Sequence, residues 1–223
     1  MNHLKKLLYP LVFAAAFNAH ADSFSDFFRA VRGDSASGVQ ALLQRGFDPN
    51  TRDEAGQTGL LIALKEPSPR VIDVLLASPQ TNVEARNASD ESPLMLAAIK
   101  GQMDLVKKLI ARDADINKPG WTPLHYAASS GQVEIIKLLL ENHAFIDAES
   151  PNGTTPLMMA AMYGSPQSVK LLLDEGADVL MKNQQNMTAL DFAKRGQRPD
   201  AQEMLTAAVR TKQPATPATG GKW

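Results

Sequence analysis

The chain of 223 residues contains no cysteine. This absence excludes disulfide bonds, thiolate nucleophiles and cysteine-ligated metals. It also excludes the lipid anchor of bacterial lipoproteins, because that anchor needs a cysteine at the cleavage site.

The chain also lacks an excess of charge of either sign, with 23 basic and 24 acidic side chains. A balance this close to neutrality gives no general attraction for nucleic acid, and we predict no nucleic-acid partner. Beyond the first 21 residues no apolar run is long enough to cross a bilayer. We therefore predict no stable membrane insertion.

Histidines are scarce, and only His125 and His143 lie beyond residue 21. They stand 18 residues apart without an acidic cluster in helical register, which is not the pattern of a metal site. The sequence shows no nucleophile–base pair at a recognisable spacing and no glycine-rich phosphate loop. We predict that the protein is not an enzyme and has no catalytic residue, metal, cofactor or small-molecule substrate.

Residues 1–21 have the parts of a signal peptide. Lys5 and Lys6 form a positive start, an apolar run of 11 residues follows, and Ala19-His20-Ala21 is a small-x-small cleavage motif. A membrane anchor is the alternative, but such a run falls well short of the roughly 20 residues that span a bilayer. We expect a mature chain from Asp22. Since this exported chain lacks cysteine, we expect it in the Gram-negative periplasm.

A motif around Thr122-Pro123-Leu124-His125 recurs along the chain. Its leucine aligns with others at steps of 34, 30, 33 and 33 residues, in the order Leu60, Leu94, Leu124, Leu157 and Leu190. A period near 33 with a Thr-Pro-Leu-His-x-Ala-Ala core resembles the ankyrin repeat. The resemblance extends over roughly residues 24–209. It implies stacked helix pairs that present a binding surface rather than a catalytic pocket.

Each strong repeat predicts a turn, a helix, a tight turn, a second helix and a hairpin arm. Ser92, Thr122 and Thr155 are placed to cap the first helices, and a proline follows each of them at the first helical position. The second helices carry apolar stripes that one repeat cannot bury alone. Three glycines are expected to end the first helices with positive φ: Gly101, Gly131 and Gly164.

We therefore predict an all-α ankyrin-repeat solenoid with β-hairpin or loop fingers, about five in-register repeats and an N-terminal capping unit. After the signal peptide (1–21), the expected segments are the capping unit 22–50, the repeats 51–84, 85–117, 118–147, 148–180 and 181–209, and a disordered tail 210–223. The finger at 117–121 lacks three residues that such a tip normally has, and Pro119-Gly120 is expected to form a tight turn there.

Single polar residues also receive an interpretation. His125 occupies the family's own histidine position, and the resemblance implies that it hydrogen-bonds loop backbone between repeats. His143 lies where a helix-ending glycine is common, and we interpret it as a solvated capping residue. Asp115, Asp147 and Asp178 are interpreted as one repeated position that serves turn geometry.

The resemblance implies that partner contacts come from the finger tips and the exposed ends of the first helices, on the concave side. For Trp121 the alternative is a cover for the short finger, and for Met162 it is packing against the next repeat. Transferred by register, the candidate partner-binding residues are Trp121, Tyr163, Met162, Ile99, Lys100, Arg86, Glu91, Ser129 and Ser130.

The predicted function is a protein–protein interaction module that binds another protein in the periplasm. The chain looks like small signal-bearing ankyrin proteins of Gram-negative bacteria. Some of these are associated with periplasmic catalase, which implies an accessory role in oxidative defence. The alternative is an immunity or inhibitor protein that neutralises a toxin delivered to the periplasm. A hydrolytic or metal-dependent enzyme is the third hypothesis.

Overall fold

A computed structural model of the protein describes residues 22–66 and 68–212. These residues form twelve helices and no strand, and the pairing of Arg52 with Thr58 is an isolated antiparallel bridge. The all-α prediction is confirmed, and the fingers in the described parts of the chain are loops. The predicted signal peptide and residues 213–223 of the predicted tail lie outside the described residues.

The chain divides into two compact units, one up to Pro93 and one from Leu94. The helices of the first unit are α1 (22–32), α2 (Ala36–Gln44), α3 (Gly59–Lys65) and α4 (Pro69–Ala77). Helix α1 buries Phe27, Phe28 and Val31. Gly59 stands where the strong repeats have proline, and a Cβ there would lie 2.8 Å from the Phe27 ring. Close packing on Phe27 therefore explains this glycine.

The remaining helices alternate as first and second members of each repeat. They are α5 (Pro93–Ile99), α6 (Met103–Ile110), α7 (Pro123–Ser129), α8 (Val133–Glu141), α9 (Pro156–Tyr163), α10 (Pro166–Asp174), α11 (Ala189–Arg195) and α12 (Pro199–Lys212). The last helix runs past residue 209. Residues 210–212, which were predicted to begin the disordered tail, are therefore helical.

Caps and prolines mark the starts of the first helices. The predicted cap Thr155 accepts a hydrogen bond from a backbone N–H of the first turn, and Thr58 and Thr188 do the same. At Thr122 the hydroxyl oxygen lies 2.9 Å from Nδ1 of His125 rather than accepting such a bond. Proline follows the cap of α7 and α9, where its missing N–H has no partner to lose. These residues fix where each first helix begins, and therefore which residues stand at its far end.

Glycine is needed after the first helices for two different physical reasons. Gly101 and Gly131 have φ of 68° and 71°, the left-handed conformation that was predicted. For Gly164 that prediction is wrong, because its φ is −76°. A Cβ at Gly164 would lie 2.3 Å from the carbonyl oxygen of Ala128 in the preceding repeat. Glycine is required there by close approach of two backbones.

Alanine pairs let neighbouring first helices approach closely in the second unit. Helix α9 packs against α7 on one side and α11 on the other. At these contacts Ala127, Ala128, Ala160 and Ala161 are at most 1% exposed. The first helices therefore form a tight inner row, and their C-terminal ends lie in sequence along it.

Asn117 joins two repeats at the turns that follow the second helices. Its Nδ2 atom donates to the carbonyl oxygen of His143 at 2.8 Å, and its Oδ1 atom accepts from the N–H of Phe145 at 2.8 Å. Asp147 holds the same register position one repeat later, where it accepts from the N–H of Asp178 at 2.9 Å. The interpretation that Asp147 shares one position with Asp115 and Asp178 is therefore wrong, because Asp147 lies two residues further along its repeat.

Candidate partner-binding surface

A buried histidine supports one side of the candidate surface. The Nδ1 atom of His125 accepts from the backbone N–H of Thr122 at 3.1 Å and lies 2.9 Å from the Thr122 hydroxyl oxygen. Its Nε2 atom lies 2.9 Å from the carbonyl oxygen of Thr154. Since a carbonyl can only accept, Nε2 carries the proton. The predicted link from His125 to loop backbone of the next repeat is confirmed.

Burial sets the charge of this ring. The His125 side chain is fully buried, and loss of solvation lowers its pKa to about 4. The ring is therefore neutral near pH 7, and one nitrogen accepts while the other donates. Protonation of Nδ1 would replace the acceptor of the Thr122 backbone N–H with a second N–H group, and the hydrogen bond between them would be lost. The residue joins two repeats rather than exchanging protons with a substrate.

Trp121 covers the histidine. The two rings meet edge to face, with 5.2 Å between their centroids, and the indole is half-buried. Beside it, Gly120 has φ of 86°, the value that the third residue of a type II turn requires after proline. Trp121 therefore has a packing role at the short finger, which was the alternative considered for it, and a partly exposed face that a partner can reach.

The ends of the first helices carry apolar side chains in water. Tyr163 at the end of α9 is 58% exposed, and Ile99 at the end of α5 is 39% exposed. Lys100 follows Ile99 and is exposed, whereas Met162 is half-buried. Large apolar side chains at this level of exposure gain little for the fold. Their place at the helix ends agrees with the register of the sequence prediction.

The turns that follow these helices touch one another along the second unit. A Cβ at Gly131 would lie 3.1 Å from the backbone nitrogen of Ser165, and one at Gly196 would lie 2.7 Å from the carbonyl oxygen of Met162. The Arg198 guanidinium donates to the carbonyl oxygen of Gly164. The ends of α7, α9 and α11 therefore lie side by side with their backbones in close approach, and the Arg198 side chain joins the turn after α11 to the end of α9. We call the ends of α5, α7, α9 and α11 the helix-end row.

Ser129 and Ser130 occupy the middle of the helix-end row. Both hydroxyls donate to the carbonyl oxygen of Tyr126, at 2.9 Å and 2.8 Å. Their donor hydrogens are used inside the helix, while the oxygen lone pairs remain able to accept from a ligand. The two serines are small and polar, and in the row they stand between the larger side chains at the ends of α5 and α9.

Arg86 and Glu91 belong to the first unit, whereas the other predicted site residues belong to the second. The Nη2 atom of Arg86 is 2.8 Å from Oε2 of Glu84, and the Arg86 carbonyl accepts from Arg52 at 3.1 Å. Oε2 of Glu91 accepts from Nδ2 of Asn87 at 2.6 Å. These hydrogen bonds order the finger loop that holds both residues and tie it to the preceding finger through Arg52. The structure brings Trp121, Ser129, Ser130, Met162 and Tyr163 into one unit with Ile99 and Lys100.

The sequence analysis missed one exposed aromatic residue. Phe145, in the turn after α8, is 65% exposed. An alignment of the repeats at that turn, where the others have aspartate or asparagine, would have shown it. Among the described residues no group of three or more His, Cys, Asp or Glu side chains is placed to hold a metal ion. No helix of the described segments has the length and apolarity of a membrane span.

Comparisons with known proteins agree with this architecture. The ankyrin repeats family matches three times, over residues 27–119, 60–150 and 146–213. Human neurogenic locus notch homolog protein 4 is 42% identical over 86 residues, which are 39% of this chain and 4% of that protein. The chain thus spans only a small part of the length of the curated relatives it matches, 3% for the Drosophila melanogaster Notch protein.

Two bacterial structures resemble the fold over most of the chain. An ankyrin repeat domain from Acinetobacter baumannii AYE has a TM-score of 0.71 and 23% identity, covering 82% of this chain and 97% of that one. A chain in the complex of a predatory endopeptidase with an immunity protein from Bdellovibrio bacteriovorus has a TM-score of 0.71 and 27% identity, with coverage of 82% and 97%.

The matches extend along the same helix pairs that the caps, alanines and glycines define. Proteins with this architecture are typically interaction modules that bind other proteins and catalyse nothing. On its sequence, its helix pairs and its matches, the chain belongs to the ankyrin-repeat family.

Proposed function

We propose that this protein is a non-catalytic module of the periplasm that holds a partner protein on the helix-end row of its second unit. The observation that carries the proposal is the exposure of Ile99 and Tyr163, 39% and 58%, at the ends of two first helices. Tyrosine and other large apolar residues are enriched in interfaces and their hot spots. The ankyrin resemblance implies that such helix ends line a concave groove, which supports this choice of surface.

Met162 would extend the helix-end row beside Tyr163, and Trp121 would add a separate contact at the N-terminal end of α7. Each is half-buried, so each offers apolar area that is already ordered by the protein. Ordered side chains lose little freedom on binding, which favours affinity. Lys100 at one end of the row, with Lys194 and Arg195 at the other, would set the orientation of the partner.

A photo-crosslinking experiment tests the surface in the cell. Tyr163 is replaced by a photoreactive phenylalanine derivative, and Lys137, exposed on the second helix α8, receives the same replacement as a control. We expect a discrete crosslinked adduct from position 163 and none from position 137. Adducts of equal yield from the two positions would refute the assignment.

The adduct then gives the partner for a binding measurement. With the purified partner, we expect the double variant Ile99→Ser and Tyr163→Ala to bind at least about tenfold more weakly, a loss typical of hot-spot truncation. The unfolding midpoint should stay unchanged, because both side chains are exposed. Lys137→Ala should bind like the native protein.

Export is supported by the composition of residues 1–21. A C-terminally tagged chain should be released by osmotic shock of a Gram-negative host, with Asp22 as its first residue by mass spectrometry.

A role beside periplasmic catalase, which the resemblance implies, is supported by that resemblance alone. It predicts that deletion of the gene sensitises cells to hydrogen peroxide and lowers periplasmic catalase activity, both restored by native protein but not by the Ile99→Ser, Tyr163→Ala variant.

An immunity or inhibitor protein is the second candidate. It is favoured by the likeness to a chain of the endopeptidase–immunity protein complex, at 27% identity over 82% of this chain. In that case the crosslinked partner is an enzyme, and binding abolishes its activity at one-to-one stoichiometry. A partner whose activity is unchanged or raised on binding supports the accessory role instead.

A further inference from the structure

Phe145 is the most exposed large apolar side chain of the described residues, at 65%. It lies in the turn that follows the second helix α8. The two helices of a repeat are antiparallel because a short turn joins them, so this turn is at the opposite end of the helix pair from the helix-end row. Its exposure is therefore not explained by the helix-end row.

The other repeats show what this position does for the fold. Asp48, Asn82, Asp115 and Asp178 stand at the same place, and each accepts a hydrogen bond from the backbone N–H two residues further on, at 2.8–3.1 Å. A phenyl ring cannot accept that bond. Phe145 therefore gives up a turn interaction and exposes apolar surface, without being buried in return. A residue that breaks a local rule with no gain in packing marks a functional position.

Hydrogen bonds place two further turns beside Phe145. Its own N–H donates to Oδ1 of Asn117 at 2.8 Å, which ties it to the turn after α6. On the other side, the N–H of Asp178 donates to Oδ1 of Asp147 at 2.9 Å, which ties the turn after α10 to the same segment. The ring thus lies in the middle of three adjoining turns, 111–117, 141–147 and 174–180.

These three turns are acidic around the ring. Arg112 is their single arginine or lysine, and their carboxylates are Asp113, Asp115, Glu141, Asp147, Asp174, Glu175 and Asp178. Lysines from nearby helices pair with two of them, Lys170 with Asp174 at 2.5 Å and Lys212 with Asp178 at 3.5 Å. Over the three turns the sequence has seven carboxylates and one arginine, whereas the chain as a whole has 24 acidic and 23 basic side chains.

We propose that Phe145 and the carboxylates around it form a second interaction surface, and that its occupant is a basic segment of a partner protein. An arginine or lysine over the phenyl face makes a cation–π contact, and its aliphatic stem covers the exposed ring. Its charged head then reaches the carboxylates of the neighbouring turns. An acidic segment is repelled by the same turns, so charge selects the class of partner.

The surface can be tested with defined peptides and ¹⁵N-labelled protein. One peptide alternates arginine with leucine, and a second of equal length has glutamate for each arginine. We expect the arginine peptide to shift the amide resonances of Asn117, Glu141 and Phe145, and its affinity to fall about tenfold between about 50 mM and about 300 mM salt as exposed charges are screened. The glutamate peptide should leave these resonances unmoved.

The variant Phe145→Asp separates a binding role from a structural one. It restores the residue type of the other repeats, so the unfolding midpoint should stay equal or rise. It also adds a negative charge, which by electrostatics alone would strengthen binding of a basic peptide. If the ring is the anchor, affinity instead falls about tenfold or more.

Four results would overturn the proposal. The first three are binding of the arginine peptide that Phe145→Asp leaves intact, equal binding of the two peptides, and resonance shifts confined to the helix-end row. Sedimentation that shows native dimers and Phe145→Asp monomers would also overturn it, because a second copy of the chain would then be the occupant. None of these results bears on the Ile99 and Tyr163 variant, so the two surfaces succeed or fail separately.

Discussion

The Nε2 atom of His125 donates across a repeat junction to the carbonyl oxygen of Thr154, 2.9 Å away. The geometry fixes the tautomer, and burial fixes the charge state. One side chain therefore couples the stability of a junction between two repeats to the protonation of an imidazole. Four consequences of the packing around such junctions can be measured.

Acid should weaken the fold through His125. In the unfolded chain the pKa of a histidine is near 6.5, and in the folded protein it is lowered to about 4. Above pH 6.5 both states are neutral and the full stability is present. Between pH 6.5 and 4 the unfolded state binds a proton that the folded state does not, so the free energy of unfolding falls by about 3 kcal/mol.

Urea titrations at pH 7 and pH 4.5 measure this loss. His125→Asn is the reference, because it lacks the imidazole while every carboxylate titrates as before. We expect the native protein to lose more stability than the variant over this interval. Parallel pH profiles for the two proteins would show that the ring is not the group responsible.

Gly164→Ala should destabilise the protein more than Gly46→Ala. Gly164 has an ordinary negative φ, but its added Cβ would meet the Ala128 carbonyl at 2.3 Å. Gly46 has φ of 87° with open space around it, so alanine there meets only backbone strain. Thermal unfolding should show a loss of about 3 kcal/mol for the first and about 1 kcal/mol for the second. The reverse order would contradict the close approach of α7 and α9.

Asn117→Ala should remove both hydrogen bonds between the turns after α6 and α8. We expect a loss of about 2 kcal/mol in the free energy of unfolding, measured with urea. Asn117→Asp is the matched control. It keeps an acceptor for the Phe145 N–H but turns a carboxylate oxygen toward the His143 carbonyl oxygen, and should lose at least as much stability as the alanine variant. An alanine variant as stable as native protein would mean that this clamp contributes nothing.

Trp121→Ala should lower both stability and partner binding, whereas Tyr163→Ala should lower binding alone. The Trp121 indole packs against His125 at 5.2 Å between ring centroids, while Tyr163 is 58% exposed. We expect about 2 kcal/mol of lost stability for the first variant and less than about 0.5 kcal/mol for the second. Binding and unfolding are measured on the same samples. Equal unfolding midpoints for native protein and Trp121→Ala would assign Trp121 to binding only.

The sequence predicted the repeat and its caps because each has a local chemical cause. Thr155, for example, needs only its own helix to act as a cap, and a proline after it needs no neighbour. Gly164 could not be understood in this way, since its reason is a carbonyl in the preceding repeat that only packing brings near. The same limit applies to Trp121, whose ring could be assigned to solvent or to protein only once His125 was placed behind it.

Other differences between prediction and structure come from residues assigned to the wrong position of the repeat or to the wrong segment. Asp147 resembles Asp115 and Asp178 in type and approximate place, but it lies two residues further along and bonds to the following repeat rather than to its own turn. Once that offset is recognised, an alignment of the repeats shows Phe145 at a position where the other repeats have aspartate or asparagine. The end of α12 was placed three residues early because its last turn carries charged side chains that bury nothing, which resembles the start of a tail.

In α7, α9 and α11 the side chain at the third helical position accepts the N–H of the capping residue, with a different atom each time. At His125 the cap N–H meets an imidazole nitrogen, at Met158 a thioether sulfur 3.4 Å away, and at Asp191 a carboxylate whose pKa is lowered by the backbone N–H of Thr188. The repeats look alike along the chain, but the starts of these three helices are held by different chemical groups. Amide exchange measured across pH should show that acid speeds exchange at the start of α7, where His125 takes up a proton. Exchange at the start of α9, where Met158 cannot be protonated, should show no such effect. Mild acid would therefore loosen the stack of repeats first at His125.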